Sequence, residues 1–269
     1  MDPEKLAKAY EDTIFPHWDE PFTRMLLENF PETLPAKPML LDLACSTGHL
    51  TEALLGRLVD GGRVVAIDDI RELMEIGRRK VLDFDRKQVF FKKEPPDHLS
   101  FADETFDAVL AAGLPPKYEI LKVLGEARRL MLPGAFLRLG VAMEGSFQEV
   151  FDVFREVLEK EDLTQTQDAL DQLISRMPSK ATCKAMLEEA QLEDIDVHTE
   201  NFNIPFPSAL PLLQSPLVRE YCLDACIKLI PDRSWREGVL AGMIRSLDTY
   251  FPDGFELSLN LGVMEATRA

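Results

Sequence analysis

The sequence predicts a doubly wound α/β fold, and three observations carry that expectation. Between residues 39 and 142, short apolar runs alternate with amphipathic helical runs. The apolar runs are nearly continuous rather than alternating, as expected of parallel strands covered on both faces. The first of them, "LLDLACSTGHLTEALL" at 40–55, passes through a tight turn straight into a helix, and repeated βαβ units of this kind build an open parallel sheet.

Residues 4–30 read as helical and amphipathic, with Trp18, Phe22, Met25, Leu26 and Phe30 at helical spacing and a break at Pro16. "PETLPAKP" is a linker. "MLLDLA" is a strand, "HLTEALLGRLV" a helix and "DGG" a turn. "RVVAID" is a strand, "RELMEIGRRKVLDF" a helix and "VFFKK" a short strand. After the turn "FADET" come the strand "FDAVLAAG", the helix "YEILKVLGEARRLM", the stop "LPG" and the strand "AFLRLGVAM". From about Glu144 the texture changes. "SFQEVFDVFREVLEKED", "QTQDALDQLISRM" and "KATCKAMLEEAQ" read as three helices. "LEDIDVHTENFNIPF" alternates like a strand. A Pro-rich stretch leads to two helices near 215–229 and 233–250, and "GFELSLNLGVMEATRA" closes the chain as another strand.

Composition narrows the function classes. The 269 residues carry a net charge of −17 and are 46% hydrophobic. That charge argues against binding nucleic-acid backbones or an anionic membrane surface, both of which need clustered Lys and Arg. The polar N-terminus "MDPEKLAKAYED" lacks a signal-peptide pattern, and no run approaches a membrane span, so the expected location is cytoplasmic. Cys45, Cys183, Cys222 and Cys226 form no disulfide framework and read as buried apolar residues; no metal site is expected.

A ligand on such a sheet sits at the carboxyl ends of the strands, at the switch point of strand order. The turn at 44–48 leaves the first strand there, and the following helix directs its N-terminal N–H groups to the same place. Asp68 ends the second strand twenty residues after Gly48, where a carboxylate can accept both ribose hydroxyls. A dinucleotide loop spaces glycines as G-x-G-x-x-G, which would put its third glycine at His49. Here the small residues are Ala44, Ser46 and Gly48.

That spacing, "DLACSTG", resembles the first motif of class I S-adenosylmethionine-dependent methyltransferases. "VVAIDDIRELMEIGRRK" is similar to the family's second strand and helix. "VFFKKEPPDHLSFADETFDAVLAAG", "EARRLMLPGAFLRLG" and "TCKAMLEEAQLEDIDVHTENF" resemble the segments that carry its third to sixth strands. The resemblance covers about 40–205 and 255–267 and implies a mostly parallel seven-stranded sheet with helices on both faces and a reversed last strand. It implies an N-terminal helical cap at 1–38 and a core at 39–204 with a helical insert at about 145–178. A helical lid at 205–253 and the final core strand at 254–269 complete it.

The resemblance implies S-adenosylmethionine as cofactor, with Asp42, Ala44, Cys45, Ser46 and Gly48 at its methionine end. Asp68, with Asp69 and Ile70, falls at the ribose, Glu94, Pro95 and Pro96 at the adenine, Ala111 at the end of the fourth strand, and Tyr10 reaches in from the cap. Two positions depart from the family pattern. The loop has alanine and serine where glycines are usual, which is tolerable at Ala44 if φ is negative there. The acid and backbone donor that usually hold adenine are replaced by Pro95 and Pro96, which supply neither, leaving Glu94 or Asp97 as acceptor. A lost polar pair of this kind costs on the order of 1–3 kcal/mol.

Methyl transfer needs positioning, and a base only when the nucleophile carries a proton; His17, in the cap, is the weak candidate among four histidines. "LPPKY" at 114–118 resembles the Asn-Pro-Pro-Tyr motif of amino-group methyltransferases, with Leu114 in place of the amide, and reads as a Pro-rich turn. The expected activity is methyl transfer to an O, N or C atom of a small, partly apolar molecule, by a monomer or homodimer. The alternative is a non-catalytic module of the same fold with a weakened cofactor site. A dinucleotide oxidoreductase is disfavoured by the loop spacing.

Overall fold

The computed structural model describes every residue except Met1, Asn29, 59–60 and 86–87. Helix α1 (Pro3–Thr13) starts where Asp2 accepts from the N–H groups of Glu4 and Lys5 and Pro3 supplies a preset φ. The break expected at Pro16 is a 3-10 turn, Phe15–His17, before α2 (Asp19–Leu27). Strand β1 (Met39–Leu43) then leads into α3 (His49–Leu55), and β2 (Arg63–Asp68) into α4 (Arg71–Lys80). The helix expected to run to Val59 ends at Leu55; Val59 and Asp60, the latter in the expected turn, lie outside the described residues. Next come β3 (Val89–Lys93), β4 (Phe106–Ala111), α5 (Ile120–Leu130) and β5 (Met131–Ala142).

Three helices follow, α6 (Gln148–Lys160), α7 (Gln167–Ile174) and α8 (Lys180–Glu189), and then β6 (Glu193–Phe206). Short helices α9 (Ala209–Gln214), α10 (Pro216–Val218) and α11 (Asp224–Lys228) precede the long α12 (Arg233–Tyr250) and β7 (Phe255–Thr267).

The seven strands form one sheet in the order β3-β2-β1-β4-β5-β7-β6. The pairs β2–β3, β1–β2, β1–β4 and β4–β5 are all parallel. Strand β7 runs the other way beside β5: Gly134 donates to Arg268 and Met143 to Asn260, so partners fall in β7 as they rise in β5. "LPG" is an irregularity inside β5 rather than a stop before it. Pairing with β4 jumps from Phe106↔Met131 to Ala108↔Phe136. Pro133 has no N–H for the ladder and Gly134 takes φ 78°, so the chain buckles there without leaving the sheet.

The chain divides into two compact units. One comprises Asp2–Val141, Ser179–Thr199 and Gly262–Ala269, the other Ala142–Pro178 and Glu200–Leu261. In the first, β1, β2 and β4 are buried through the middle of the sheet by Leu40, Leu41, Leu43, Val64, Ile67, Val109 and Leu110. The N-terminal helices join this core. The Trp18 Nε1 donates to the Gly113 carbonyl at 3.1 Å, and Phe22 lies against Gly113 and Gly140, at both of which a Cβ would collide with it. Full burial of these aromatics is worth about 2–3 kcal/mol each. In the second unit α12 crosses α6 closely, since a Cβ on Gly242 would come within 2.8 Å of Val157.

Candidate functional site

The order β2-β1-β4 places the switch point at the carboxyl end of β1, which runs into the 44–48 loop. Three residues of that loop have left-handed backbones: Ala44 (φ 56°), Ser46 (φ 49°) and Gly48 (φ 80°). The negative φ expected at Ala44 is therefore corrected. This loop keeps a glycine-type path with Cβ-bearing residues at two of its corners, at a strain on the order of 1–2 kcal/mol each. Groups on β2, outside the loop, hold it there. Asp68 Oδ2 accepts from the Ser46 N–H at 2.9 Å, and Cys45 N donates to the Ile67 carbonyl at 2.7 Å. Only at Gly48 is the missing Cβ sterically required, because it would sit 2.8 Å from Gly77 Cα in α4.

Around the loop lie three buried carboxylates. Asp68 is 5% exposed and takes a second backbone N–H, from Ile70 at 2.7 Å; burial pushes its pKa up to about 6. Asp42, fully buried on the central strand, accepts from the Thr51 hydroxyl through Oδ2, while its Oδ1 has no hydrogen-bond partner among the described residues. Burial raises its pKa to about 7. Asp19, in the first turn of α2, accepts from the Tyr10 hydroxyl at 3.1 Å. Burial raises its pKa well above the usual range, and Asp42 and Asp68 add to the shift. Three carboxyls that resist ionising together, with one oxygen unsatisfied, make a site matched to a cationic ligand. S-adenosylmethionine, with a sulfonium and an α-ammonium group, fits that donor set.

The remaining expected residues divide. Tyr10 is buried and its hydroxyl lies 2.9 Å from the Ser46 hydroxyl, so the cap does reach the loop. Cys45 is buried and burial raises its thiol pKa, which leaves it inert. Ala111 is fully buried at the end of β4. The Asp69 carboxylate is paired with Lys117 at 2.8 Å, across the end of the sheet from β2 to the turn after β4. The Glu94 carboxylate accepts from the Ser100 hydroxyl at 2.6 Å and pairs with Lys92 at 2.9 Å. It thus closes its own turn. Pro96 is buried and Pro95 exposed. His17 stands exposed on the 3-10 turn, where desolvation nonetheless lowers its pKa.

Sequence reasoning missed Asp19 and a second cluster. Lys80, at the end of α4, donates to Glu11 at 2.9 Å and contacts the ring nitrogen of His49, which lies 3.0 Å from the other Glu11 oxygen. Phe15 stacks on His49 with ring centroids 3.5 Å apart. Desolvation lowers the pKa of both Lys80 and His49. Asp19 had a usable signal: it sits between Trp18 and Phe22 on the apolar face of its helix, where a solvated acid is out of place. Among the described residues no His, Cys, Asp and Glu cluster is arranged to hold a metal. No described helix is long and apolar enough to cross a membrane.

Comparison with known proteins gives a consistent picture. The model of the ubiE/COQ5 methyltransferase family matches residues 16–205. A demethylmenaquinone methyltransferase of Bacillus cereus (strain B4264) is 27% identical over 179 residues, 61% of this chain and 73% of the relative. The crystal structure of a protein from Bacillus halodurans C-125 superposes with a TM-score of 0.57 at 17% identity, covering 91% of this chain and 98% of that one. Haemonchus contortus phosphoethanolamine N-methyltransferase 2, solved with S-adenosyl-L-methionine, gives a TM-score of 0.54 at 14% identity over 91% of this chain and 52% of that one. At such identities the two structures speak for the fold alone.

Proposed function

The chain belongs to the ubiE/COQ5 methyltransferase family, and from that premise we propose that this S-adenosylmethionine-dependent methyltransferase acts on a small, partly apolar acceptor of quinone type. The observation that carries the site assignment is the set of buried carboxylates Asp19, Asp42 and Asp68 around the left-handed 44–48 loop. The acceptor assignment is supported by the name of the Bacillus cereus relative, which acts on demethylmenaquinone.

In this reading Asp68 accepts from the ribose hydroxyls with the lone pairs that Ser46 and Ile70 leave free. The loop N–H groups and the α3 N-terminus face the methionine carboxylate. Asp42 Oδ1, which has no partner among the described residues, accepts from the α-ammonium, and Asp19, whose buried carboxyl resists ionising in the ligand-free protein, gives up its proton more readily beside that cation. The bound cofactor supplies an electrophilic methyl group on sulfur. The protein's task is then to align the acceptor atom in line with that bond and to exclude water, which is the larger part of catalysis for such a displacement. The trio's negative charge steadies a cationic cofactor more than its neutral product, which favours release after transfer.

Two measurements test this. Calorimetry with S-adenosylmethionine and S-adenosylhomocysteine should show binding, and the absence of any binding at millimolar ligand would overturn the site. Incubation with S-adenosylmethionine and a reduced demethylnaphthoquinone should yield a methylated product by mass spectrometry. A cofactor-binding protein that leaves that acceptor untouched, yet methylates a polar amine, would overturn the acceptor class.

A further inference from the structure

The groups assigned to the cofactor lie under the N-terminal helices. Ser46, Asp42, Asp68 and Asp19 are all buried, and the Tyr10 hydroxyl stands 2.9 Å from the Ser46 hydroxyl and 3.1 Å from Asp19. A ligand that is to touch Ser46 and Asp19 has to displace that hydroxyl, and with it α1. The two cap helices are held differently. Helix α2 and the residue before it are fixed in the core. Trp18 and Phe22 are fully buried, and Trp18 Nε1 donates to the Gly113 carbonyl. From β5, Arg138 donates to the carbonyls of Leu26 at 2.6 Å and Glu28 at 2.7 Å.

Helix α1 turns Leu6, Ala7 and Tyr10 inward, and a polar cluster at Glu11 fastens it. One Glu11 oxygen accepts from Lys80 of α4 at 2.9 Å, and the other lies 3.0 Å from His49 Nε2 at the start of α3. Lys80 also contacts that ring nitrogen and reaches the Thr47 hydroxyl of the loop at 3.4 Å. These side chains are part-exposed, so water can take over their bonds when they part. Between α1 and α2 the chain bends through the 3-10 turn Phe15–His17, with Pro16 inside it and Trp18 at φ −129° and ψ −72°. A segment-terminal bend of this kind is where a hinge absorbs its change of angle. Cap, loop and α4 all belong to the same compact unit.

We propose that α1 is a gate over the cofactor loop, hinged at the Phe15–His17 turn and latched by Glu11 on Lys80 and His49, so that the latch sets how fast the cofactor enters and leaves. Lys80 is thus a positioning residue: it acts on the cofactor only through the cap. The inference rests on the cofactor site proposed above. The latch is closed in both the free and the bound protein, so weakening it costs both states alike and lowers the barrier between them.

The test is stopped-flow binding and displacement of S-adenosylhomocysteine on the full chain, its Lys80→Met and Glu11→Gln variants, and the charge exchange Glu11→Lys with Lys80→Glu, alongside calorimetric affinities. Each single variant should raise the association and dissociation rates together by about two- to fivefold, the weight of a part-exposed ion pair read as an opening equilibrium. The dissociation constant should stay within about twofold, and the charge exchange should return both rates toward those of the unaltered protein. If one single variant fails to fold, the other still decides. Unchanged rates in a folded variant would overturn the gate and leave the cofactor site standing. So would a faster dissociation with a matching loss of affinity, which would mean that Lys80 supports the bound cofactor instead of its passage. Failure of the unaltered protein to bind S-adenosylhomocysteine would overturn both.

Discussion

The Tyr10 hydroxyl lies 2.9 Å from the Ser46 hydroxyl, across a sequence separation of 36 residues, and the same phenol donates to Asp19. One side chain of the N-terminal cap therefore ties together a strained loop corner and a buried acid, and its loss affects both.

Tyr10→Phe should accordingly cost more than a surface hydrogen bond. It leaves Asp19 buried without that donor, a change on the order of 1–3 kcal/mol. Urea unfolding should show it, together with weaker binding of S-adenosylhomocysteine. An unchanged unfolding midpoint would mean that the Tyr10–Asp19 contact contributes nothing.

The loop's strain predicts opposite signs for two glycine exchanges. Ala44→Gly removes a Cβ at φ 56° and should be neutral or stabilising by less than about 1 kcal/mol, since glycine's added chain entropy offsets part of the relief. Gly48→Ala introduces a Cβ 2.8 Å from Gly77 Cα at φ 80° and should destabilise by about 1–3 kcal/mol. Thermal unfolding of the two variants decides it; a destabilised Ala44→Gly would mean that the alanine methyl contributes packing that outweighs its backbone strain.

Burial raises the pKa of Asp68 to about 6 and of Asp42 to about 7 in the folded chain, above the ordinary carboxylate value. Between that ordinary value and those raised values the native state holds more protons than the unfolded one. This contribution to stability is complete below the ordinary carboxylate value and is lost as pH rises from there through about 6 for Asp68 and about 7 for Asp42. Ligand-free protein should therefore lose stability over that window, by up to about 1.4 kcal/mol per pH unit for each proton involved. Asp42→Asn should flatten the upper part of the curve. Cofactor binding favours the ionised carboxylates, so it should release protons near pH 6.5, seen as a buffer-dependent calorimetric enthalpy. A binding enthalpy independent of buffer would contradict the ionised-trio assignment.

Lys80 joins α1 to α4 through Glu11, and its side chain is 18% exposed against 35% for Glu11. Lys80→Met should destabilise by about 1 kcal/mol, a value discounted for solvent screening. It should also release His49 toward an ordinary pKa, because the lysine's charge is one of the forces depressing it. Titration of His49 by NMR checks the second effect independently of stability.

Much of this was legible before any coordinates. Apolar runs of strand length between amphipathic helices specify burial on both faces, which only a parallel sheet with helices on each side provides; hence the order of elements, the switch point and the place of Asp68 could be read directly. The small-residue spacing at Ala44, Ser46 and Gly48 likewise marked the loop. The handedness of its corners could not be read, because φ at Ala44 is decided by Asp68 and Ile67, whose bonds to the loop come from another strand. Asp19 went unremarked in the sequence, because only the packing of the N-terminal helices brings it to the Tyr10 hydroxyl that also meets Ser46. Glu94 looked available until Ser100 and Lys92 took its oxygens. Periodicity records which face of a segment is buried, a local property written in every few residues. Hydrogen-bond partners and the pKa values they set depend on groups tens of residues apart brought within about 3 Å, and that proximity exists only once the chain has folded.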